Sequence, residues 1–287
     1  MASVLITGTS SGIGLATALA LGRKGHHVYA TMRNPSRAPE LAERAAQEKL
    51  PIEISVMDVN SDSSVKTAIA NIQKDAGHID VLVNNAGVEG NGSVEETALA
   101  EFRAVMETNY FGALRCMQAV VPDMRKRKSG CIINVSSVAG RIANSPFAPY
   151  TASKFALEAL SDTLAQEMKM FNVRVAIVEP GIIDTPMARG LVEPPGGSPY
   201  PQQRRLALLF TAALKNPAPP SLVADKILEI IESGTWQLRH LVGPDAGAFL
   251  KWRESMTDEE WVAFHSADDE TWLRRMEHDF GLTIPRN

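Results

Sequence analysis

Short runs of apolar residues alternate along the chain with longer segments of helical periodicity. The short runs are rich in Val and Ile and lack polar/apolar alternation, which is typical of strands buried on both faces of a parallel sheet. They predict strands at residues 3–7, 27–32, 52–57, 80–83, 130–136, 173–179 and 238–242. The longer segments predict helices at residues 12–24, 39–48, 62–76, 98–127, 150–170 and 221–233. Strands joined by helical crossovers indicate an α/β fold, a single doubly wound domain with a seven-stranded parallel sheet.

The segment 184–220 departs from this rhythm. It contains eight of the 17 prolines, and an apolar stretch at 206–210 lies within it. A long insertion between regular elements is usually either functional or disordered, and an apolar stretch argues against disorder. We therefore predict that this segment is a lid over a pocket.

A second departure is the segment 246–287, which contains three of the four tryptophans. Residues 257–260 form a capping-box pattern that predicts a short helix, and Ser266 is a candidate cap for another. The sequence predicts a domain over residues 1–245, including the lid, followed by a short helical extension over 246–287. We expect this extension to dock on the domain body or on a second subunit.

The composition excludes several classes of protein. The chain has 287 residues and a net charge of −4, so neither nucleic acid nor an anionic membrane is expected as a partner. Two cysteines, Cys116 and Cys131, are too few for a disulfide framework and are expected to be reduced, packed thiols. No signal peptide and no membrane span are recognised, so we expect a cytoplasmic location. The six histidines lack metal-ligand spacing; they are predicted to lie on the surface, and no metal is expected.

Glycines join the first predicted strand to the first helix, in the sequence Thr7-Gly8-Thr9-Ser10-Ser11-Gly12-Ile13-Gly14. Glycines allow a tight turn and the close approach of a phosphate-bearing ligand, and the helix that follows presents free N–H groups and a positive dipole end. The turn therefore predicts a pyrophosphate site. Its candidate residues are Gly8, Ser10, Ser11, Gly12, Ile13 and Gly14.

The end of the second predicted strand indicates which dinucleotide binds. A site for NAD usually has a carboxylate here, which holds the ribose hydroxyls. This strand instead ends in Tyr29-Ala30-Thr31-Met32-Arg33, without an acid. A cation suits a 2′-phosphate, so we predict NADP(H), with Arg33 as the main candidate, Arg37 as a weaker one and Ser11 as a possible hydroxyl donor.

Tyr150 and Lys154 are four residues apart on a predicted helix, so their side chains lie on one face. A nearby cation favours the phenolate and is expected to lower the pKa of Tyr150 from about 10. Such a phenol can exchange a proton with a carbonyl or alcohol oxygen. Ser137 follows the preceding strand, at the edge where α/β sheets bind ligands, and its hydroxyl could stabilise that oxygen; Ser136 is the weaker alternative.

Three further motifs occur in order along the chain: Asp58-Val59, Asn84-Asn85-Ala86-Gly87 and Pro180-Gly181. Together with the glycine turn and the Ser137, Tyr150 and Lys154 set, they make the chain resemble the short-chain dehydrogenase/reductase superfamily over residues 1–245. The second strand resembles that of the NADP-linked hydroxysteroid and retinol reductase branch. The resemblance implies a Rossmann-type fold and a homodimer or homotetramer formed through the helices at 98–127 and 150–170.

The resemblance also implies roles for individual residues. Tyr150 would be the general acid/base, Lys154 would lower its pKa and hold the nicotinamide ribose, and Ser137 would polarise the carbonyl. Asn109 would position a water for proton relay. Further cofactor contacts would come from Asp58, Val59, Asn85, Ala86, Gly87, Pro180, Gly181, Ile183 and Thr185.

The predicted function is that of an NADP(H)-dependent oxidoreductase, which interconverts a ketone and a secondary alcohol on a hydrophobic substrate. Substrate contacts are expected from residues 88–95, 138–147 and 184–214. Two alternatives remain open: a 3-oxoacyl-carrier-protein reductase, and a catalytically silent NADP-binding scaffold.

Overall fold

A seven-stranded, entirely parallel sheet forms the centre of the computed structural model, which describes residues 1–193 and 196–281. The strands lie in the order β3-β2-β1-β4-β5-β6-β7. They are β1 (Ser3–Thr7), β2 (His27–Met32), β3 (Ile52–Val56), β4 (Val81–Asn84), β5 (Gly130–Val135), β6 (Val173–Pro180) and β7 (Arg239–Val242). The predicted α/β architecture is confirmed, and no strand boundary differs from its prediction by more than one residue.

Twelve helices are present in the described residues. They are α1 (Gly12–Arg23), α2 (Glu40–Glu48), α3 (Asp62–Ala76), α4 (Leu99–Met106), α5 (Ala113–Arg127), α6 (Ala148–Lys169), α7 (Pro186–Arg189), α8 (Pro201–Ala213), α9 (Ser221–Ser233), α10 (Ala246–Glu254), α11 (Asp258–Ser266) and α12 (Asp269–Phe280). Short 3₁₀ turns lie at Pro35–Arg37 and Val138–Gly140.

Hydrophobic clusters cover both faces of the sheet. Val4 and Ile6 of β1 belong to the cluster that includes residues of α1 and α9, whereas Leu5 belongs to the cluster that includes residues of α3, α5 and α6. All three side chains are fully buried. Since neighbouring residues of a strand point to opposite faces, burial on both sides explains why these strands are apolar without alternation.

The helical segment predicted at 98–127 is interrupted, so the prediction of one continuous helix was wrong. Helix α4 is followed by a π-helical segment, Glu107–Gly112, and then by α5. A Cβ at Gly112 would lie 2.8 Å from Cγ2 of Val59, which requires a residue without a side chain. The wider segment places Asn109 inside the protein, where it is 1% exposed.

The two segments with unusual composition contain ordered helices. The proline-rich segment contributes α7 and α8, and Pro194 and Pro195 lie outside the described residues. The C-terminal segment contributes α10, α11 and α12, and residues 282–287 are likewise outside. The capping box at Thr257 and Glu260 is confirmed. Ser266 does not cap the next helix; the side chain of Asp268 does so by accepting a hydrogen bond from the Thr271 amide, so that prediction was wrong.

Two of the histidines are buried, contrary to prediction. His26 accepts a hydrogen bond from the Ala2 amide at 3.2 Å, and His240 contacts the Gln237 carbonyl at 2.9 Å, so both are held by backbone groups. Cys116 and Cys131 are buried free thiols, as expected, and burial raises the pKa of both.

One exposed group of potential metal ligands is present in the described residues: His27, Glu53 and Asp75. His27 contacts Glu53 at 2.8 Å, and Asp75 accepts a hydrogen bond from the Tyr29 phenol at 2.6 Å. These contacts explain why the three side chains lie close together, and no bound ion is needed to explain it. No helix of the described part of the chain combines the length and the apolar character needed to cross a bilayer.

Candidate active site

A cleft of about 280 Å³ opens at the carboxyl ends of the strands. Strand order reverses between β1 and β4, and ligands of open α/β sheets bind at such a switch point. Nearly all of the predicted site residues line this cleft. They are Gly8, Ser10, Ser11, Gly12, Ile13, Arg33, Asp58, Val59, Asn85, Ala86, Gly87, Ser137, Tyr150, Lys154, Pro180, Gly181, Ile183 and Thr185. Gly14 and Asn109 are buried and are not part of its wall.

The glycine turn is packed too tightly for side chains. Gly8 has a φ of +71°, and a Cβ on it would lie 2.7 Å from the Cα of Ala86. A Cβ on Gly14 would lie only 2.3 Å from the Gly8 carbonyl oxygen. The side-chain amide of Asn85 donates to the carbonyls of Thr7 and Gly8 at 2.9 and 3.0 Å, which holds the end of β4 against the turn.

The same turn leaves the first amides of α1 without a side-chain cap. Ser11 occupies the cap position, but its side chain accepts no hydrogen bond from the helix. Free amides at a helix N-terminus can donate hydrogen bonds to a pyrophosphate. The glycines of the turn beside them have no side chains that would occupy the space of the phosphates. The residues present therefore fit the phosphates of a dinucleotide.

Arg33 lies directly after β2 on the wall of the cleft and is exposed. Within the described residues its guanidinium forms no ion pair. Arg37 lies on the 3₁₀ turn that follows and is not among the described residues that line the cleft. The geometry thus favours Arg33 over Arg37 as the cation that faces a bound ligand.

Tyr150, Lys154 and Ser137 line the cleft together beside the end of β5. Nζ of the buried Lys154 donates to the Val135 carbonyl at 2.9 Å and lies 5.5 Å from the centre of the Tyr150 ring. The Ser137 hydroxyl accepts a hydrogen bond from the Ala139 amide at 3.1 Å. A phenol, a hydroxyl and an ammonium therefore share one end of the cleft.

A family model described as short chain dehydrogenase matches residues 2–195. The chain belongs to the short-chain dehydrogenase family. Retinol dehydrogenase 8 of Bos taurus is 38% identical over 252 residues, which cover 83% of this chain and 80% of that protein. The resemblance inferred from the motifs is confirmed.

Solved structures agree with this assignment. A short-chain dehydrogenase from Streptomyces avermitilis has a TM-score of 0.78 and 30% identity, covering 92% of this chain and 95% of its own. Actinorhodin polyketide ketoreductase, solved with NADPH, has a TM-score of 0.76 and 27% identity, covering 86% of this chain and 97% of its own. Members of this family bind a nicotinamide cofactor, and the cleft fits one.

In this short-chain dehydrogenase, burial controls the ionisation of the two central groups. Burial raises the pKa of Tyr150 to about 12, although the Ser137 hydroxyl acts in the opposite direction. Burial also lowers the pKa of Lys154 to about 8, against the effect of nearby Glu158. Burial is the largest influence on the Tyr150 pKa, and the expected lowering of that pKa by Lys154 stays a prediction. At neutral pH the phenol keeps its proton and can donate it.

Asn109 joins the end of β4 to α6. Its side chain accepts from the Val88 amide at 2.8 Å and donates to the Val88 carbonyl and to the Ser153 hydroxyl, both at 2.9 Å. Ser153 in turn donates to the Tyr150 carbonyl at 2.6 Å. Asn109 therefore holds the helix turn that carries Tyr150, and its expected role in positioning a water stays a prediction.

Asp245 is a site residue that the sequence analysis missed. Its carboxylate accepts a hydrogen bond from the Ile182 amide at 2.9 Å, and a Cβ on Gly181 would lie only 2.0 Å from Asp245 Oδ1. Burial raises the pKa of this carboxyl. Asp245 fixes the loop after β6, which forms part of the cleft wall. Its position just after β7, at the same sheet edge, was the signal that could have revealed it.

Gly14→Ala should lower both the thermal stability and the affinity for a nicotinamide cofactor, because the new methyl group would overlap the Gly8 carbonyl. Overpacking of this kind costs about 1–3 kcal/mol, enough to lower the Tm by several degrees. Thermal unfolding and cofactor fluorescence titration measure the two effects. Gly247→Ala is the matched control: within the described residues nothing lies within 4 Å of its added Cβ, and it is expected to be neutral or slightly stabilising. Equal stability and affinity for Gly14→Ala and the native protein would show that the turn is not so constrained.

Proposed function

We propose that this protein is an NADP(H)-dependent carbonyl reductase/alcohol dehydrogenase that interconverts a ketone and a secondary alcohol on a hydrophobic substrate. The observation that carries the proposal is the arrangement of the cleft. A phenol, a hydroxyl and an ammonium lie at one end, and Arg33, which forms no ion pair within the described residues, also lines the cleft. We assign these activities to residues 1–245, with 246–287 as a helical extension.

Arg33 supports the choice of NADP(H) over NAD(H). A guanidinium makes strong, charge-assisted hydrogen bonds to a phosphate, and the end of β2 carries no carboxylate that would repel one. Among solved relatives, actinorhodin polyketide ketoreductase was obtained with NADPH, which agrees with this choice.

The nicotinamide of the cofactor would supply or accept a hydride. The chain's own residues would handle the proton and the oxygen. Ser137 would donate a hydrogen bond to the carbonyl oxygen, and Tyr150 would transfer its proton to that oxygen as negative charge develops there. Lys154, buried and mostly charged at neutral pH, would stabilise the phenolate that remains.

Apolar residues of the lid segment support a hydrophobic substrate. Met187, Leu191 and Phe210 line the cleft together with Phe147. Phe147 also makes edge contact with Tyr150, with 5.2 Å between the ring centres. A substrate carbonyl that reaches Tyr150 would therefore have its apolar body among these side chains.

The proposal is tested by incubating the purified protein with NADPH or NADH and a panel of hydrophobic ketones, followed by product identification. We expect oxidation of NADPH coupled to formation of a secondary alcohol, with NADH much less effective. A β-ketoacyl thioester in the same panel tests the alternative of a 3-oxoacyl-carrier-protein reductase, which would use it preferentially. Cofactor binding without turnover of any compound would contradict the proposal and favour a scaffold.

A further inference from the structure

A second cavity, of about 120 Å³, adjoins the end of the cleft that holds Ser137; we call it the side cavity. Both cavities are lined by Ser137, Phe147, Gly181, Ile182 and Phe210, so they lie next to each other. The side cavity is closed by α8 of the lid segment and by the C-terminal extension, which contributes Trp252, Trp261, His265, Trp272 and Met276. Substrate contacts were predicted from residues 88–95, 138–147 and 184–214, and the role of the extension was left open.

The extension is held in place by specific contacts. The Trp261 indole donates to the Ala143 carbonyl at 3.1 Å, which ties α11 to the loop after β5. The buried Arg205 of α8 bonds Asp269 at 2.7 Å and donates to the His265 and Ala267 carbonyls. The walls of the side cavity are therefore ordered and part of the folded protein.

Polar atoms on these walls lack partners. Among the described residues, Thr151 Oγ1, Asn144 Oδ1 and Gln202 Oε1 are buried without a hydrogen bond. Thr151 is only 6% exposed and follows Tyr150 directly. A buried polar atom without a partner costs free energy, and in native proteins such an atom usually meets a water or a ligand.

Gln202 and His265 both line the side cavity and are in contact; we call their two side chains the Gln202–His265 pair. Gln202 Nε2 donates to the His265 carbonyl at 3.1 Å, which leaves Oε1 as the free end of the amide. His265 Nδ1 lies 2.9 Å from the Trp261 carbonyl, an acceptor, and must therefore carry a hydrogen. Burial lowers the pKa of His265, which favours the neutral ring, and in that ring Nε2 is an acceptor. Both free atoms of the pair thus accept hydrogen bonds.

The charges around the side cavity do not favour an anionic ligand. Arg205 lines it, but its guanidinium is bonded to Asp269 and to two backbone carbonyls. What remains available is neutral and includes several hydrogen-bond acceptors, within walls that are otherwise aromatic and aliphatic. The complementary ligand is an apolar body that carries a neutral hydrogen-bond donor.

We propose that the side cavity holds the body of the substrate and that the Gln202–His265 pair accepts a hydrogen bond from a hydroxyl group remote from the reacting carbonyl. This inference rests on the proposed function, since it takes Tyr150 and Ser137 as the site of the carbonyl. The C-terminal extension then determines specificity: it selects hydroxylated apolar ketones over their deoxy analogues.

The test compares straight-chain methyl ketones, from octanone to dodecanone, with the counterparts that carry a hydroxyl at the far end. With NADPH, the native protein should show a kcat/KM about tenfold or more higher for the hydroxylated member at the length that spans the cavity, because the deoxy member leaves acceptors unpaired. His265→Phe keeps an aromatic ring but removes the acceptor, and should bring the ratio to about one. Gln202→Leu should act in the same direction and serves if His265→Phe does not fold.

His78→Phe, on a partly exposed histidine before β4 that does not line the side cavity, is the matched control and should leave the ratio unchanged. A ratio near one at every length in the native protein, or an unchanged ratio in both variants, overturns the inference. If the native protein reduces no ketone, the proposed function fails, but the same pairs still test the cavity through thermal shifts of the NADPH-loaded protein. The hydroxylated member should then raise the Tm more than the deoxy member in the native protein but not in His265→Phe; equal shifts in the native protein overturn the inference.

Discussion

Tyr150→Phe is expected to lower kcat for ketone reduction by about 10²- to 10⁴-fold, the range that a positioned general acid contributes. The substitution removes only the phenolic oxygen. Because the pKa of Tyr150 is raised to about 12, the native phenol is protonated and ready to donate at neutral pH, and phenylalanine has no proton to give. Steady-state turnover with NADPH and a hydrophobic ketone measures the loss.

Two controls separate this chemical effect from a structural one. The affinity for NADPH, measured by fluorescence titration, should change little in Tyr150→Phe, because the ring still packs edge-on against Phe147. Tyr110→Phe changes the same residue type in the π-helical segment, away from the cleft wall, and should keep native turnover. Turnover of Tyr150→Phe within a few-fold of native would contradict the assigned role.

Arg33→Ala is expected to raise the KM for NADPH by about ten- to a hundredfold and to leave the KM for NADH nearly unchanged. Hydrogen bonds to a charged group contribute about 1.5–3 kcal/mol, and about 1.4 kcal/mol corresponds to a factor of ten. Only NADPH carries the phosphate that Arg33 would bind, so the effect should be specific to that coenzyme. The value of kcat should be retained, since Arg33 follows β2 whereas Ser137 follows β5, which lies three strands away in the sheet.

Arg37→Ala is the matched control, because Arg37 lies on the next turn and does not line the cleft among the described residues. It should leave both KM values close to native. An equal rise of the KM values for NADPH and NADH in Arg33→Ala would mean that Arg33 supports the fold of the cleft and does not bind the phosphate that distinguishes NADPH from NADH. A native preference for NADH would contradict the choice of cofactor.

The sheet could be predicted from the sequence because its strands are buried on both faces. Val4, Leu5 and Ile6 have to be apolar whichever face they point to, so each strand appears as a continuous run. The glycine turn could also be predicted from the sequence. The backbone at Gly8 and Gly14 packs so closely against neighbouring atoms that there is no room for a Cβ, so glycine is required at both positions. The sequence motifs then identified most of the predicted residues that line the cleft.

Features that depend on distant contacts could not be predicted in this way. The π-helical segment is stabilised by contacts of Asn109 with Val88 and Ser153, which no local periodicity reveals. The role of Asp245 arises only when β7 lies beside β6. The side cavity requires α11 and α12 to fold back on α8, more than 60 residues earlier in the chain. The predicted homodimer or homotetramer and the boundary at residue 245 stay predictions.

The π-helical segment holds one residue more than a regular helix would need for the same turn, because its hydrogen bonds span five residues and not four. Deleting that extra residue could restore a regular helix, but it would change which side chain stands at the place of Asn109. The hydrogen bonds of Asn109 to Val88 and Ser153 would then be lost. The number of residues in the π-helical segment is therefore as important as their identity. We expect this segment to tolerate single-residue insertions and deletions less well than the loops around the cleft.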